Sequence, residues 1–221
     1  MLWNQLARSL DDGIKPLNLD GSRGVLFKVT LLAYGYTFVS KATVRAFVDE
    51  LNHEATVYKR LKKLQGIIVP VFLGSIDLSS MKKIYYYAHR VYLVHMTFLS
   101  WGGTDIARTE KTPNMDYASL ETKSIQSLEA LHQEGVIHTD ARLPNMLVNS
   151  ETNGVMIIDF ERSILLEPPR RPLAQLIPRK REWKPDIQGD KEMDGQSRKQ
   201  KVARRFATEI GEAKCEFLPF K

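Results

Sequence analysis

Asp140, Asn145 and Asp159 lie in the segment HTDARLPNMLVNSETNGVMIIDF, which runs from His138 to Phe160. Polar side chains carrying hard oxygen atoms here stand at the open end of an apolar hairpin. Met146–Val148 and Val155–Ile158 read as strands, and Asn153-Gly154 between them is a strong turn pair. In an antiparallel hairpin the residue entering the first strand lies near the residue leaving the second. Asn145 and Asp159 hold those places, so their oxygens can converge across 14 positions of sequence. A few hard oxygens that leave room for water and phosphate suit Mg²⁺. The plainer reading is that Asn145 caps a turn and Asp159 ends a strand. Asp140 follows the apolar GVIH and precedes Asn145 by five residues. A carboxylate there could take the proton of an attacking hydroxyl. Arg142 could neutralise charge on a transferring phosphoryl group. His138, at the end of an apolar run, reads as structural.

A second pair lies upstream. Phe47, Leu51, Tyr58 and Leu61 form one stripe at helical spacing, and Glu54 falls inside it. An ionised Glu on a core-facing stripe is costly unless a cation meets it. Lys41, on the strand YTFVSKATV just before the helix, is the nearest suitable cation. The pair is either purely structural or a Lys oriented by a Glu to hold phosphates. In LDGSRGVLFKV, Gly21 and Gly24 bracket a turn, and glycine lets a backbone approach a phosphate closely.

These residues must be positioned by a packed region from about Ile14 to Leu166, where apolar runs alternate with clear punctuation. VLFKVTLL and YTFVSKATV read as strands joined at AYG, followed by a helix from about Thr43 to Leu64 that stops at Gly66. IIVPVFLGSI and RVYLVHMTFL read as two further strands, with the turn SWGG after them. A second helix covers roughly Asp116 to Glu134, with Leu120, Ser124, Leu128 and Leu131 on one face and Gly135 as its stop. The order predicts an α+β domain with its sheet weighted to the N-terminal half. From residue 167 onward, proline and charge dominate, which predicts a basic, partly disordered tail. Val202, Phe206 and Ile210 within it stand at the spacing of a short amphipathic helix.

The 221 residues, 43% hydrophobic and 26% charged, suit one globular domain or one domain with two lobes. No uncharged apolar run is long enough to span a bilayer, and the first residues lack the apolar core of a secretory signal. Cys215 is the single cysteine, so an intramolecular disulfide and a cysteine-based zinc site are excluded. An intracellular setting, cytoplasmic or nuclear, is expected. The net charge is +6, and 15 Lys+Arg against 10 Asp+Glu from Glu161 onward place +5 of it in the last 61 residues. PRKREWKP and SRKQKVARR hold a single aromatic residue, Trp183, between them, so specific nucleic-acid recognition is not expected.

Together these motifs resemble a protein kinase. HTDARLPN is similar to the catalytic-loop pattern HRDxxxxN and IDFE to the metal-binding DFG; Lys41 and Glu54 match the strand Lys and helix Glu, and GSRG the second half of the glycine-rich loop. Gly24 precedes Lys41 by 17 residues, in keeping with the pattern. The aminoglycoside-phosphotransferase-like group shares HxDxxxxN and the later Asp. The resemblance implies a bilobal protein-kinase-like fold, with an N-lobe over about 14–98 and a reduced C-lobe over about 102–166. It implies Asp140 as catalytic base and Arg142 in place of a phosphate-contacting Lys. Asn145 and Asp159 would bind Mg²⁺. Lys41, paired with Glu54, would hold the α- and β-phosphates of ATP beneath Gly21 and Gly24. HMTFLSWGG would be the hinge, with Phe98, Leu99, Ser100 and Trp101 receiving adenine and Val39 against the base. Leu19 replaces the first loop glycine, Thr139 the Arg of HRD and Glu161 the Gly of DFG, and no A-P-E follows.

The expected activity is ATP-dependent phosphoryl transfer to a protein Ser or Thr hydroxyl. A small-molecule kinase and a non-catalytic pseudokinase-like binding module are the alternatives.

Overall fold

A computed structural model of the chain describes residues 2–8, 12–20, 24–82, 84–87, 91–109, 116–166 and 195–220. After helix α1 (Leu2–Arg8) come strands β1 (Ile14–Asp20), β2 (Val25–Leu31) and β3 (Tyr36–Thr43). A one-turn 3₁₀ segment, Arg45–Phe47, leads into α2 (Val48–Arg60). β4 (Phe72–Asp77), β5 (Tyr85–Tyr87), β6 (Val91–Leu93) and β7 (His95–Leu99) follow. The fold is α+β with antiparallel sheets.

β2 and β3 pair because both alternate side-chain character with period two, and a four-residue turn closed by Gly35 at φ +70° joins them. β1, β2, β3, β7 and β4 stand in that order in one antiparallel sheet. Phe27, Val29, Phe38, Ala42, Met96 and Phe98 project from one face into a hydrophobic cluster that also takes Leu6 of α1. Val39 and Lys41 alternate with Phe38, Ser40 and Ala42, so they project from the other face, where Thr97 stands opposite Lys41.

The second part begins with β8 (Thr104–Asp105) and the short α3 (Ile106–Thr109). α4 (Tyr117–Gln133) is capped by Asp116, whose side chain accepts the Ser119 N–H, and Gly135 at φ +76° ends it. Leu120, Ser124, Leu128 and Leu131 are all buried, as their spacing predicts. Next come β9 (Val136–Ile137), β10 (Met146–Asn149), β11 (Gly154–Ile157) and β12 (Ile164–Leu165). β10 and β11 form the hairpin, β8 borders β10, and β12 pairs with β9. A second hydrophobic cluster joins Val57 and Tyr58 of α2, and Leu61 just after it, to α4, the hairpin and Phe160.

Several boundaries are corrected. The first helix begins at Val48 rather than Thr43, because Thr43 is still paired with His95 in the sheet. Of the apolar run Ile67–Ile76, Ile67 and Ile68 lie in a turn, Val69 makes only an isolated bridge to Gln65, Pro70 and Val71 are irregular, and the strand starts at Phe72; Pro70 removes a ladder donor. The run Arg90–Leu99 holds two strands, separated at Val94.

The largest correction concerns the C-terminal segment. Residues 167–194 of the expected tail lie outside the described residues. Beyond them α5 (Gly195–Glu216) is a 22-residue helix rather than a short one. It packs on α4, with Phe206 stacked on His132 at 4.0 Å, and Phe220 beyond it stacked on Tyr117 at 4.4 Å. Ala213 and Phe217 are buried in the second cluster. Truncating Phe217 to Ala should therefore lower unfolding stability by about 3–5 kcal/mol in urea titrations, as for other buried aromatics. A change within about 0.5 kcal/mol, the usual surface value, would mean that this segment is not part of the core.

Candidate functional site

Three elements meet at the Lys41 ammonium. β3 presents Lys41 on its clear face, α2 presents Glu54, and the segment after β11 presents Asp159 and Glu161. Lys41 Nζ donates to Glu54 Oε2 at 3.1 Å and to Asp159 Oδ1 at 2.7 Å, and Glu161 Oε1 lies 2.8 Å away. The predicted Lys41–Glu54 pair is thus formed, and Glu161 joins it. Glu54 is 1% exposed and its other oxygen accepts the Phe160 N–H at 3.3 Å. Burial alone would lower the Lys41 pKa, yet Glu54, Asp159 and Glu161 raise it well above the lysine range. Burial raises Glu54; Lys41 opposes that rise, while Asp159 and Glu161 add to it. The ligand oxygens of Glu54, Asp159 and Glu161 lie within 4.8 Å of one another, close enough to share a cation.

The loop between β9 and β10 carries the second group. Arg142 forms a bidentate pair with Asp140, Nε to Oδ1 at 2.6 Å and Nη2 to Oδ2 at 3.0 Å. Asn145 Nδ2 donates to the Asp140 carbonyl at 2.9 Å and to its carboxylate at 3.3 Å. Burial would raise the Asp140 pKa, but the Arg142 hydrogen bonds and charge outweigh it and hold the carboxyl below its ordinary value. Asp140 is therefore ionised near neutral pH.

His138 joins the two groups and is structural, as its place in the sequence predicts. It is fully buried, its Nε2 lies 2.7 Å from the Ile158 carbonyl, and its ring packs edge-on against Phe160 at 5.0 Å. Burial lowers its pKa, so the ring is neutral near pH 7. Phe160 packs in turn on Tyr58 of α2 at 5.2 Å. Thr139 and Asp159 adopt φ +65° and +69°, a region that strains non-glycine residues. Two such positions beside the polar groups fit the clustering of strain at functional sites.

Other expected positions divide. Asn145 and Asp159 flank the hairpin end, where the Ile158 N–H donates to the Asn145 carbonyl at 3.0 Å. Their side chains are turned to different partners, Asn145 to Asp140 and Asp159 to Lys41. Gly21 lies outside the described residues. Gly24 crosses β3 so closely that a Cβ there would meet the Ala42 carbonyl at 2.9 Å, beside the Lys41 stem. Val39 is half-buried on the same strand face as Lys41. Phe98 and Leu99 belong to β7, laddered by β3 and β4 on its two sides, and the Phe98 side chain points into the first hydrophobic cluster. Ser100 exchanges hydrogen bonds with Val71 at 2.9 Å. Trp101, 57% exposed, is the first of the four outside these pairings.

No family model matches the chain. A curated relative, "Meiotic driver SPOK2" of Podospora anserina, is 38% identical over 200 residues. The match covers 89% of this chain and 24% of that protein, so the chain spans about a quarter of its relative's length. These findings overturn the resemblance drawn from the motifs: the likeness found is to a meiotic driver, with no kinase family behind it. The assignment to protein kinases, or to the aminoglycoside-phosphotransferase-like group, is withdrawn. What remains is the geometry of the named residues.

Lys41→Met strips the buried Glu54 of its closest cation. In the variant the Glu54 pKa rises further, so the penalty is small where Glu54 is protonated in both states and grows with pH. Urea unfolding should show a loss of about 3 kcal/mol or more at pH 8, the usual consequence of breaking a buried pair, and a smaller one at pH 5. A penalty as large at pH 5 as at pH 8 would contradict this electrostatic account.

Proposed function

We propose that the chain is an ATP-dependent phosphotransferase acting on a hydroxyl acceptor, with protein Ser or Thr as the acceptor class. The observation that carries the reading is the convergence of Lys41, Glu54 and Asp159 from three elements, with the ionised Asp140 on the adjoining loop. We read the two hydrophobic clusters as two lobes, with the nucleotide between the clear face of β3 and the hairpin end.

In this reading Lys41, held by Glu54, meets the α- and β-phosphates. Val39 lies against the base, and the chain from Trp101 onward replaces Phe98 and Leu99 as the adenine contact. The close crossing of Gly24 over β3 favours a backbone cover above the phosphates. Asn145 and Asp159 offer hard oxygens suited to Mg²⁺, which when bound would neutralise phosphate charge. Asp140 accepts the acceptor hydroxyl's proton as the new oxygen–phosphorus bond forms and the β–γ bridge bond breaks, leaving ADP. Arg142 must first release the Asp140 carboxylate, and the incoming phosphoryl group is a competing anion for its guanidinium. The single cysteine agrees with an intracellular setting.

A non-catalytic, nucleotide-binding module is the second reading. Glu161 favours it, because a third carboxylate on Lys41 competes directly with phosphate.

Two measurements test the proposal. Transfer of labelled γ-phosphate from Mg²⁺-ATP to generic protein substrates should fall about 10²-fold or more in Asp140→Asn, while ATP binding persists. Equal incorporation in both proteins would remove Asp140 from the mechanism. ATP binding without transfer in the unaltered chain would favour the binding module. Glu161→Gln should tighten ATP about tenfold by freeing the ammonium, equivalent to about 1.4 kcal/mol. Unchanged or weaker affinity in calorimetry would show that Glu161 does not compete.

A further inference from the structure

The Asp140 loop is gripped from behind by α5. Glu209 is 2% exposed, Phe206, Ile210 and Ala213 share its helix face at three- and four-residue spacing, and Phe217 follows just beyond the helix end. A carboxylate in such a stripe is costly unless both oxygens are met. Both are. Oε1 accepts the Thr139 N–H, and Oε2 lies 2.6 Å from His132 Nε2, whose ring is stacked on Phe206. Burial alone would raise the Glu209 pKa, but His132 and the Thr139 and His138 backbone outweigh it and hold the group below the usual carboxylate range.

One face of the helix makes a second contact. Glu216, seven residues and two turns further on, accepts the Leu143 N–H at 3.2 Å. The two carboxylates therefore hold residues 139 and 143, which bracket Asp140 and Arg142. Thr139 is the residue at φ +65°, a conformation that costs a non-glycine residue about 1–3 kcal/mol and persists only when its surroundings impose it. Glu209 on its N–H, with its hydroxyl donating to the Arg162 carbonyl at 2.8 Å, supplies that imposition.

We infer that α5 is the positioning element of the Asp140 loop, with Glu209 and Glu216 as its positioning residues. The consequence for turnover rests on the phosphotransferase reading; the loop geometry does not. A chain in which this helix is displaced would keep Lys41, Glu54 and Asp159 but lose the placement of Asp140.

The test uses the full 221-residue chain with Glu209→Ala, Glu209→Gln and, as control, Glu212→Gln on the exposed side of the same helix. Amide hydrogen exchange over residues 138–145 is measured beside steady-state transfer. Glu209→Ala should speed exchange of the loop amides at least about tenfold, leave β10 and β11 protected and lower kcat about 10²-fold, with the KM for ATP within about twofold. Glu209→Gln should restore most of both, because its carbonyl oxygen still accepts the Thr139 N–H. The control should match the unaltered chain. If Glu209→Ala does not fold, Glu216→Ala applies the same test through Leu143. Loop exchange unchanged by the Ala variants would overturn the inference. So would faster exchange spread equally through β10, β11 and α4, or faster loop exchange with kcat intact. If the unaltered chain transfers no phosphate, the phosphotransferase reading fails, while loop-confined exchange would still uphold the grip of α5.

Discussion

One ammonium ion among three carboxylates is the constraint on which the rest of the structure depends. Lys41 is tied to Glu54 and to Asp159, 118 positions away, so a single charge joins the main sheet, α2 and the end of the hairpin. Such a cluster is not an inexpensive way to stabilise a fold. Removing a lysine and buried carboxylates from water costs several kcal/mol per ion, and apolar groups of similar size would often pack as well. Burial first, and then the neighbouring Asp159 and Glu161 carboxylates, raise Glu54 above its ordinary range, and with all three carboxylates ionised the group would carry a net charge of −2. The imbalance is one that a divalent cation would relieve, and the phosphates of a nucleotide would in turn answer Lys41.

The second polar group depends on backbone rather than charge. Asp140 sits between a strained Thr139 and a hydrogen-bonded turn at Leu143–Asn145. Its own orientation is fixed by Arg142 and Asn145, and neither of them supports Thr139. That support comes from the other side of the loop, through α5 and the Arg162 carbonyl. The packing of a distant helix therefore reaches the Asp140 loop through two backbone N–H groups. His138 completes the arrangement as a neutral, buried spacer whose ring is fixed between the Ile158 carbonyl and Phe160.

Much of this was legible in the sequence because it followed from period and charge. Glu54 declared itself as a carboxylate inside an apolar stripe, and Lys41 as the nearest cation. Asn153-Gly154 marked the hairpin turn, and Leu120, Ser124, Leu128 and Leu131 marked the buried face of α4. The same rule applied to Val202, Phe206 and Ile210 would have exposed Glu209. Its signal was hidden because the surrounding composition is charged and reads as solvated tail. Glu161 was recognisable as extra negative charge, but its reach to Lys41 was not, since that depends on the turn after Asp159. Phe98 and Leu99, read from the sequence as part of a hinge, lie in an inner strand, and an inner strand and a hinge can both be short apolar runs. Only the ladder partners on either side distinguish them. Motif spacing alone also suggested a family that the comparisons do not support, although the residues behind the motifs do come together.

The central claim is that the Lys41 cluster binds the phosphates of a nucleotide with a divalent cation. The most direct test is titration calorimetry of the chain with ATP, with and without Mg²⁺, beside Asp159→Asn. Binding that needs Mg²⁺ in the unaltered chain, and is weakened at least about tenfold in the variant, is the predicted result. ATP binding of the same strength in both proteins, or none at millimolar nucleotide, would contradict the claim and leave Lys41, Glu54 and Asp159 as a purely structural ion cluster.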